Sequence, residues 1–199
     1  LFRSAVTRVT TCTTVIARTP KTRMLCGAKV GDEIVMTKWA GLEGTLLIAS
    51  DHTDLLRGLS PDTVKRAKAL FQHLSVVPES RIALKNGADA MHDVTEGGVL
   101  GAVWELAAQK RLGAVVDRQA IPILPETKAI TEAVGLDPYR LMASGSMLIA
   151  CHNGAEMVSA LREAGIPAAV IGLITERDFV FSDGSPLDPP GADALYQLF

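Results

Sequence analysis

The chain has 199 residues, 48% of them hydrophobic, a formal net charge of -2 and 5% aromatic residues. That length and hydrophobic share support one packed domain, or one and a fraction. The balanced charge gives no electrostatic footprint for nucleic acid or an anionic membrane, the scarcity of aromatics argues against a base-stacking surface, and no apolar run approaches the roughly 20 residues of a membrane span.

Read in order, residues 5–17 are rich in Val, Thr and Ile and suggest a strand, with a turn at 19–22. Residues 32–38 read as a second strand after Gly27 and Gly31. These two strands are too few to close a sheet without partners. Gly41 to Thr45 opens an apolar helix, and its two glycines fit either a ligand-facing turn or a bend between domains. Lys38, at that junction, is a candidate to neutralise a phosphate; a solvated lysine is the plainer reading. Asp51, His52, Thr53 and Asp54 read as an exposed helix start in preference to a metal site.

Ser60-Pro61-Asp62 is a helix entry, with Ser as N-cap and Pro in the first turn. The helix should run to about Leu74, with Val64, Ala67, Leu70, Phe71 and Leu74 on one buried face and His73 as a structural histidine. A short helix follows over 78–86 and stops at Gly87. After the strand and helix of 87–109, strands are expected at 112–116, 147–151, 168–174 and 179–181, and helices at 126–134 and 154–164. A hairpin turn is expected at Asp183-Gly184, then a proline-rich exit over 186–191 and a short tail over 194–199. Ser144-Gly145-Ser146, just ahead of the strand at 147, fits a ligand contact or a bulge. Strands and helices alternate from residue 60 onward, which indicates one α/β or α+β domain of about 130 residues.

The three cysteines, Cys12, Cys26 and Cys151, are odd in number and widely spaced, with no C-x-x-C pair. They read as reduced thiols of a cytoplasmic protein. Cys151 abuts His152 but closes an apolar run, so it reads as a strand-end thiol and not as a nucleophile. The start at Leu1 suggests a fragment or a processed product.

Chemistry concentrates in residues 87–100, which read as a short strand, a polar turn and a helix start. Gly97 and Gly98 allow close backbone approach. A helix N-terminus leaves amide donors free and carries the positive end of the dipole, so this turn is expected to form a cradle of free amides for an anion such as a phosphate. Thr95 can cap the helix or donate its hydroxyl to that anion. His92 and Asp93 fall at the strand's C-terminal end, where open α/β sheets place ligands. A glycine-assisted turn with Asp and Thr as caps is the alternative reading.

Met91-His92-Asp93-Val94-Thr95-Glu96-Gly97-Gly98 resembles the H-D-x-T-x-G-G loop of the AIR synthase (PurM-like) superfamily. Gly31 to Lys38 with Gly41 to Thr45, then Ile121-Pro122-Ile123, Leu136 to Gly145 and Ile171 to Ile174, match in order. The details look most like its HypE-like, AIR synthase-related branch. The resemblance implies a PurM-like C-terminal domain over 41–185, a mixed sheet packed against helices. Remnant strands of an ATP-binding N-terminal domain would occupy 1–40, and 186–199 would be a tail.

It further implies a parent that is dimeric, binds ATP and Mg2+, and activates a substrate oxygen by phosphorylation, as in hydrogenase maturation. His92, Asp93, Thr95, Gly97, Gly98 and Lys38 would be the phosphate and nucleotide residues; no catalytic residue or metal ligand is assigned. The family's acidic Mg-ATP ligands precede the strand at residue 5, so this chain alone is expected to be inactive. HypE ends in a reactive cysteine, whereas residues 195–199 carry none, which argues against cyanide synthesis by that route. The alternatives are a non-catalytic assembly module that keeps the fold, and a purine-pathway aminoimidazole ribonucleotide synthetase. The latter ranks lower because Gly41-Leu42-Glu43-Gly44-Thr45 does not spell its Gly-Leu-His-Ser-Asn-Gly segment.

Overall fold

A strand flanked on both sides by partners arriving more than a hundred residues later holds the sheet together. The computed structural model describes residues 12–16, 18, 25 and 27–198. Six strands, β1 (Glu33–Thr37), β2 (Ala88–Asp93), β3 (Gly113–Val116), β4 (Met147–Cys151), β5 (Ala168–Thr175) and β6 (Phe179–Phe181), form one mixed sheet in the order β2-β4-β1-β5-β3-β6. Val35 of β1 lies opposite Ile149 of β4 on one side and Val170 of β5 on the other, both antiparallel. The edge pair β3 and β6 is parallel.

Side-chain alternation along the strands divides the core between two faces. On one face Ile34, Met36, Leu148 and Ala150 meet Val99 and Val103 of helix α4 (Gly98–Ala108). On the other, Val35, Met147, Ile149 and Cys151 meet Ala83 of α3 (Val77–Lys85) and Met157 and Leu161 of α6 (Gly154–Glu163). Every residue of β4 is therefore buried, as its unbroken apolar run requires. A third cluster joins α1 (Leu42–Asp51), α2 (Pro61–Ala69) and α5 (Pro125–Val134), through Ile48, Ala67 and Ile130, to Ala194 and Leu195 of the tail. This is the mixed sheet packed against helices that the sequence implies.

The helix starts follow their local chemistry. Ser60 Oγ accepts from the Thr63 amide at 3.1 Å, with Pro61 opening α2. Asn153 caps α6 on the Glu156 amide, while Glu33 of β1 accepts from Gly154 N at 2.7 Å and ties helix to sheet.

Several expectations are corrected. Of the strand expected at 5–17, residues 12–16 are described and are not in a strand, and Val15 and Ile16 are exposed; the rest, Ala17 included, lies outside the described residues, as do the whole turn at 19–22 and Cys26. Strand propensity is realised only beside a partner strand, and residues 12–16 are not among the six strands of the sheet. The helix from Ser60 is α-helical only to Ala69 and continues as a 3-10 turn over Leu70–His73. The tighter winding breaks the 3.6-residue stripe, and Phe71, expected inside, is 71% exposed. Asp51 ends α1, and Thr53–Leu56 is a single 3-10 turn. No group of three or more His, Cys, Asp or Glu side chains suited to a metal occurs among the described residues.

Candidate functional site

β2 delivers His92 and Asp93 to the point where the chain leaves the sheet, and Val94 anchors the exit by donating to Ser146 O at 3.0 Å. Val94 is fully buried, so the flanking side chains are forced outward. Asp93 and Glu96 are exposed and Thr95 half-buried. The Asp93 carboxylate has no partner among the described residues. Both His92 ring nitrogens face oxygens: Nδ1 lies 2.6 Å from the Asp93 carbonyl and Nε2 3.1 Å from Glu105 on α4. His92 thus braces the strand end against the helix, and Asp93 and Thr95 form the open rim of the turn.

The glycines serve shape. Gly97 (φ 80°) and Gly98 (φ 63°) are both left-handed. A Cβ on Gly98 would lie 2.5 Å from the Tyr139 carbonyl oxygen, so only glycine lets the turn sit against residues 139–141.

The expected cradle of free amides is not what this turn presents. Gly97 N donates to Asp193 Oδ2 at 2.8 Å, Gly98 N to Thr95 O at 3.2 Å and Leu100 N to Tyr139 O at 3.2 Å. The helix start is buried, and buried amides take partners from the protein itself.

Lys38 is corrected in the same way. Its side chain is 8% exposed, and Nζ lies within 2.8 Å of four oxygens: Glu79 Oε1 and the carbonyls of His73, Ser75 and Gly145. An ammonium has three protons, so none is left for a phosphate. Ser144-Gly145-Ser146 belongs to this scaffold: Ser146 Oγ donates to Trp39 O at 2.8 Å, and a Cβ on Gly145 would lie 2.5 Å from His73 O.

Two features escape a reading of the sequence. The tail returns to the turn, with Asp193 2% exposed and Tyr196 Oη donating to Glu96 Oε1 at 2.7 Å. Beyond Tyr139 lies an open cavity of about 480 Å³, lined among others by Asp117, Arg118, Tyr139 and Phe181. The Arg118 guanidinium stands 4.8 Å from the Tyr139 ring centre and is held by Asp137 at 3.1 Å, a setting that can orient a polar small molecule. The ion pair of Asp137 and Arg118 has a local signal in Leu136-Asp137-Pro138, whereas nothing near Gly97 points to residue 193.

Fold and site together define an α+β domain that presents an acidic rim at a glycine turn and whose own tail closes the underside of that turn. The chain belongs to the family described as AIR synthase related protein, C-terminal domain, whose model matches residues 29–183. It is 32% identical over 171 residues to carbamoyl dehydratase HypE of Rhizobium leguminosarum bv. viciae, covering 83% of this chain and 44% of that protein. The crystal structure of Escherichia coli HypE superposes with a TM-score of 0.69 at 26% identity, over 86% of this chain and 53% of that one. A crystal structure of the hydrogenase maturation protein HypE in complex with ATP shares the fold, with a TM-score of 0.59 at 21% identity over 85% of this chain and 54% of that one. The chain thus spans about half the length of the relatives it matches. Its relatives include carbamoyl dehydratase HypE and a putative hydrogenase expression/formation protein of Methanocaldococcus jannaschii, 27% identical over 157 residues.

Proposed function

We propose that this chain is the C-terminal half of a HypE-like, ATP-dependent enzyme that activates a substrate oxygen by phosphorylation. The observation that carries this reading is the unpartnered, exposed Asp93 carboxylate beside Thr95 at the exit of β2, in a chain of this family. Phosphoryl transfer asks a protein for position and charge neutralisation more than for covalent chemistry. A carboxylate can hold a nucleotide-bound Mg2+, and a hydroxyl can donate to a phosphate oxygen. Asp93 and Thr95 are the residues of this chain that fit those tasks, with His92 fixing the strand end. One carboxylate is too few for a Mg2+ site, so the remaining ligands are assigned to a preceding half that also forms a homodimer.

In this reading the domain runs from about residue 29 to 185, because β1 lies inside the sheet and the family match begins at 29. Residues ahead of it connect to the nucleotide-binding half, which replaces the boundary at residue 40 expected from the sequence.

The test is calorimetric titration of Mg-ATP into the two-domain protein and its Asp93→Asn variant. Micromolar binding that Asp93→Asn weakens at least tenfold is expected; unchanged binding in the variant, or none in the parent, would sink the reading. A second reading, an assembly module without catalysis, is favoured by the internal pairing of Lys38 and of the Gly97 amide. ATP turnover by the two-domain protein rules it out.

A further inference from the structure

The tail holds the glycine turn from below. Asp193 is 2% exposed and uses both carboxylate oxygens: Oδ2 accepts from Gly97 N at 2.8 Å and Oδ1 from Leu195 N at 2.9 Å. Its neighbours fix it in place. Ala194 N donates to Arg140 O at 3.1 Å, the Arg140 guanidinium donates to Asp188 O at 3.1 Å, and Tyr196 Oη donates to Glu96. Leu187, Ala194 and Leu195 are buried at its ends. Residues 139–141, which the tail grips through Arg140, are the same residues that press on Gly98.

Two roles are open to a buried carboxylate on a helix N-terminus: a plug that an incoming phosphate must expel, or a permanent brace. A plug has to leave. Leaving here would break the two bonds to Asp193, expose two leucines and strip Arg140 and Glu96 of partners, while the Asp93 and Thr95 side chains are reachable with the tail in place. The brace fits and the plug does not.

We propose that Asp193 is a positioning residue for the nucleotide-facing turn. Its carboxylate takes the amide that the turn would otherwise offer to an anion, fixes the left-handed conformation of Gly97, and leaves ligand recognition to Asp93 and Thr95. Tyr196 extends the effect by orienting Glu96 on the same rim. This inference rests on the proposed nucleotide site.

The experiment compares the two-domain protein with its Asp193→Ala, Asp193→Asn and Tyr196→Phe variants. Amide hydrogen exchange is read at Gly97 and, as a control for folding, at Val35 and Leu148; Mg-ATP affinity is read by calorimetry. Asp193→Ala should speed exchange at Gly97 at least tenfold with Val35 and Leu148 still protected, and should weaken Mg-ATP binding by roughly ten- to hundredfold, the worth of a hydrogen bond to a charged group. Asp193→Asn, which keeps one acceptor oxygen, should fall between, and Tyr196→Phe should have a smaller effect.

Unchanged Mg-ATP affinity in a folded variant with a freed Gly97 amide would overturn the proposal, and tighter binding would show that the carboxylate is a plug. If Asp193→Ala loses protection at Val35 and Leu148, Asp193→Asn decides by the same criteria. A parent that binds no Mg-ATP defeats the nucleotide site itself, whatever the variants do.

Discussion

Lys38 Nζ lies 2.7 Å from Glu79 Oε1, with the two side chains 8% and 1% exposed. The pair joins the end of β1 to α3, and its ammonium also gathers three carbonyls from two other segments. Lys38 adopts a left-handed backbone (φ 54°), a conformation uncommon outside glycine. Removing one partner strands a buried charge, so Lys38→Met should lose about 3–5 kcal/mol of unfolding free energy. Adding Glu79→Leu should restore a large part of it. Urea denaturation of both variants measures this, and a single-variant loss under about 1 kcal/mol would mean that the pair is dispensable.

Two glycines with similar positive φ separate backbone strain from close packing. Gly87 (φ 79°) has nothing near its missing Cβ, whereas the same atom on Gly98 (φ 63°) would strike the backbone of residues 139–141. Gly87→Ala should cost about 1–2 kcal/mol, the penalty for a side chain in the left-handed region. Gly98→Ala should cost distinctly more, about 3 kcal/mol or above, because backbone must shift as well. Equal losses in thermal or chemical melts would contradict the packing role.

Cys151 should be chemically quiet. Burial, and then the carboxylates of Glu33 and Asp32, push its thiol up to about 11. Only the thiolate is nucleophilic, so at pH 8 iodoacetamide should label exposed Cys12 at least about tenfold faster than Cys151. Peptide mass spectrometry over a time course reads the ratio. Comparable rates would require this end of β4 to open readily.

The burial of Asp32 fixes the sign of a pH dependence. Burial, reinforced by Asp89, holds its carboxyl above the ordinary value despite the hydrogen bond from Lys29 N. The charged form is therefore disfavoured in the folded state. The stability contributed by this group is present at low pH and lost as pH rises through the folded-state pKa. Asp32→Asn keeps an acceptor for Lys29 N and removes the charge, so it should gain stability relative to the parent as pH rises through that folded-state pKa. A difference that does not change with pH in guanidinium melts would contradict this.

The parts legible in the sequence are those set by short-range pattern. The apolar run of β4, the Ser60 cap and the strand-turn-helix at residue 93 all depend on neighbours a few positions away, and each is found close to its expected place. Phe71 was misplaced because one turn changes its winding, which a fixed 3.6-residue period does not register. Lys38 and Asp193 were beyond reach for a different reason. A lysine is solvated or buried according to where oxygens from residues 73, 75, 79 and 145 converge, and the Gly97 amide finds its partner 96 positions away. The motif correctly marks the turn; whether its amides are free is decided by a segment that contains no motif.

The interior place of β1 bears on how the chain is made. Its neighbours β4 and β5 begin at residues 147 and 168, so a nascent chain emerging from the ribosome holds Ile34, Val35 and Met36 without either hydrogen-bonding partner until roughly 110 further residues have been synthesised. Such long-range pairing is slow to form and leaves an apolar strand exposed in the meantime. Translation pauses or chaperone contacts that shield residues 33–37 should therefore govern the yield of this domain more than any aid given to its helices.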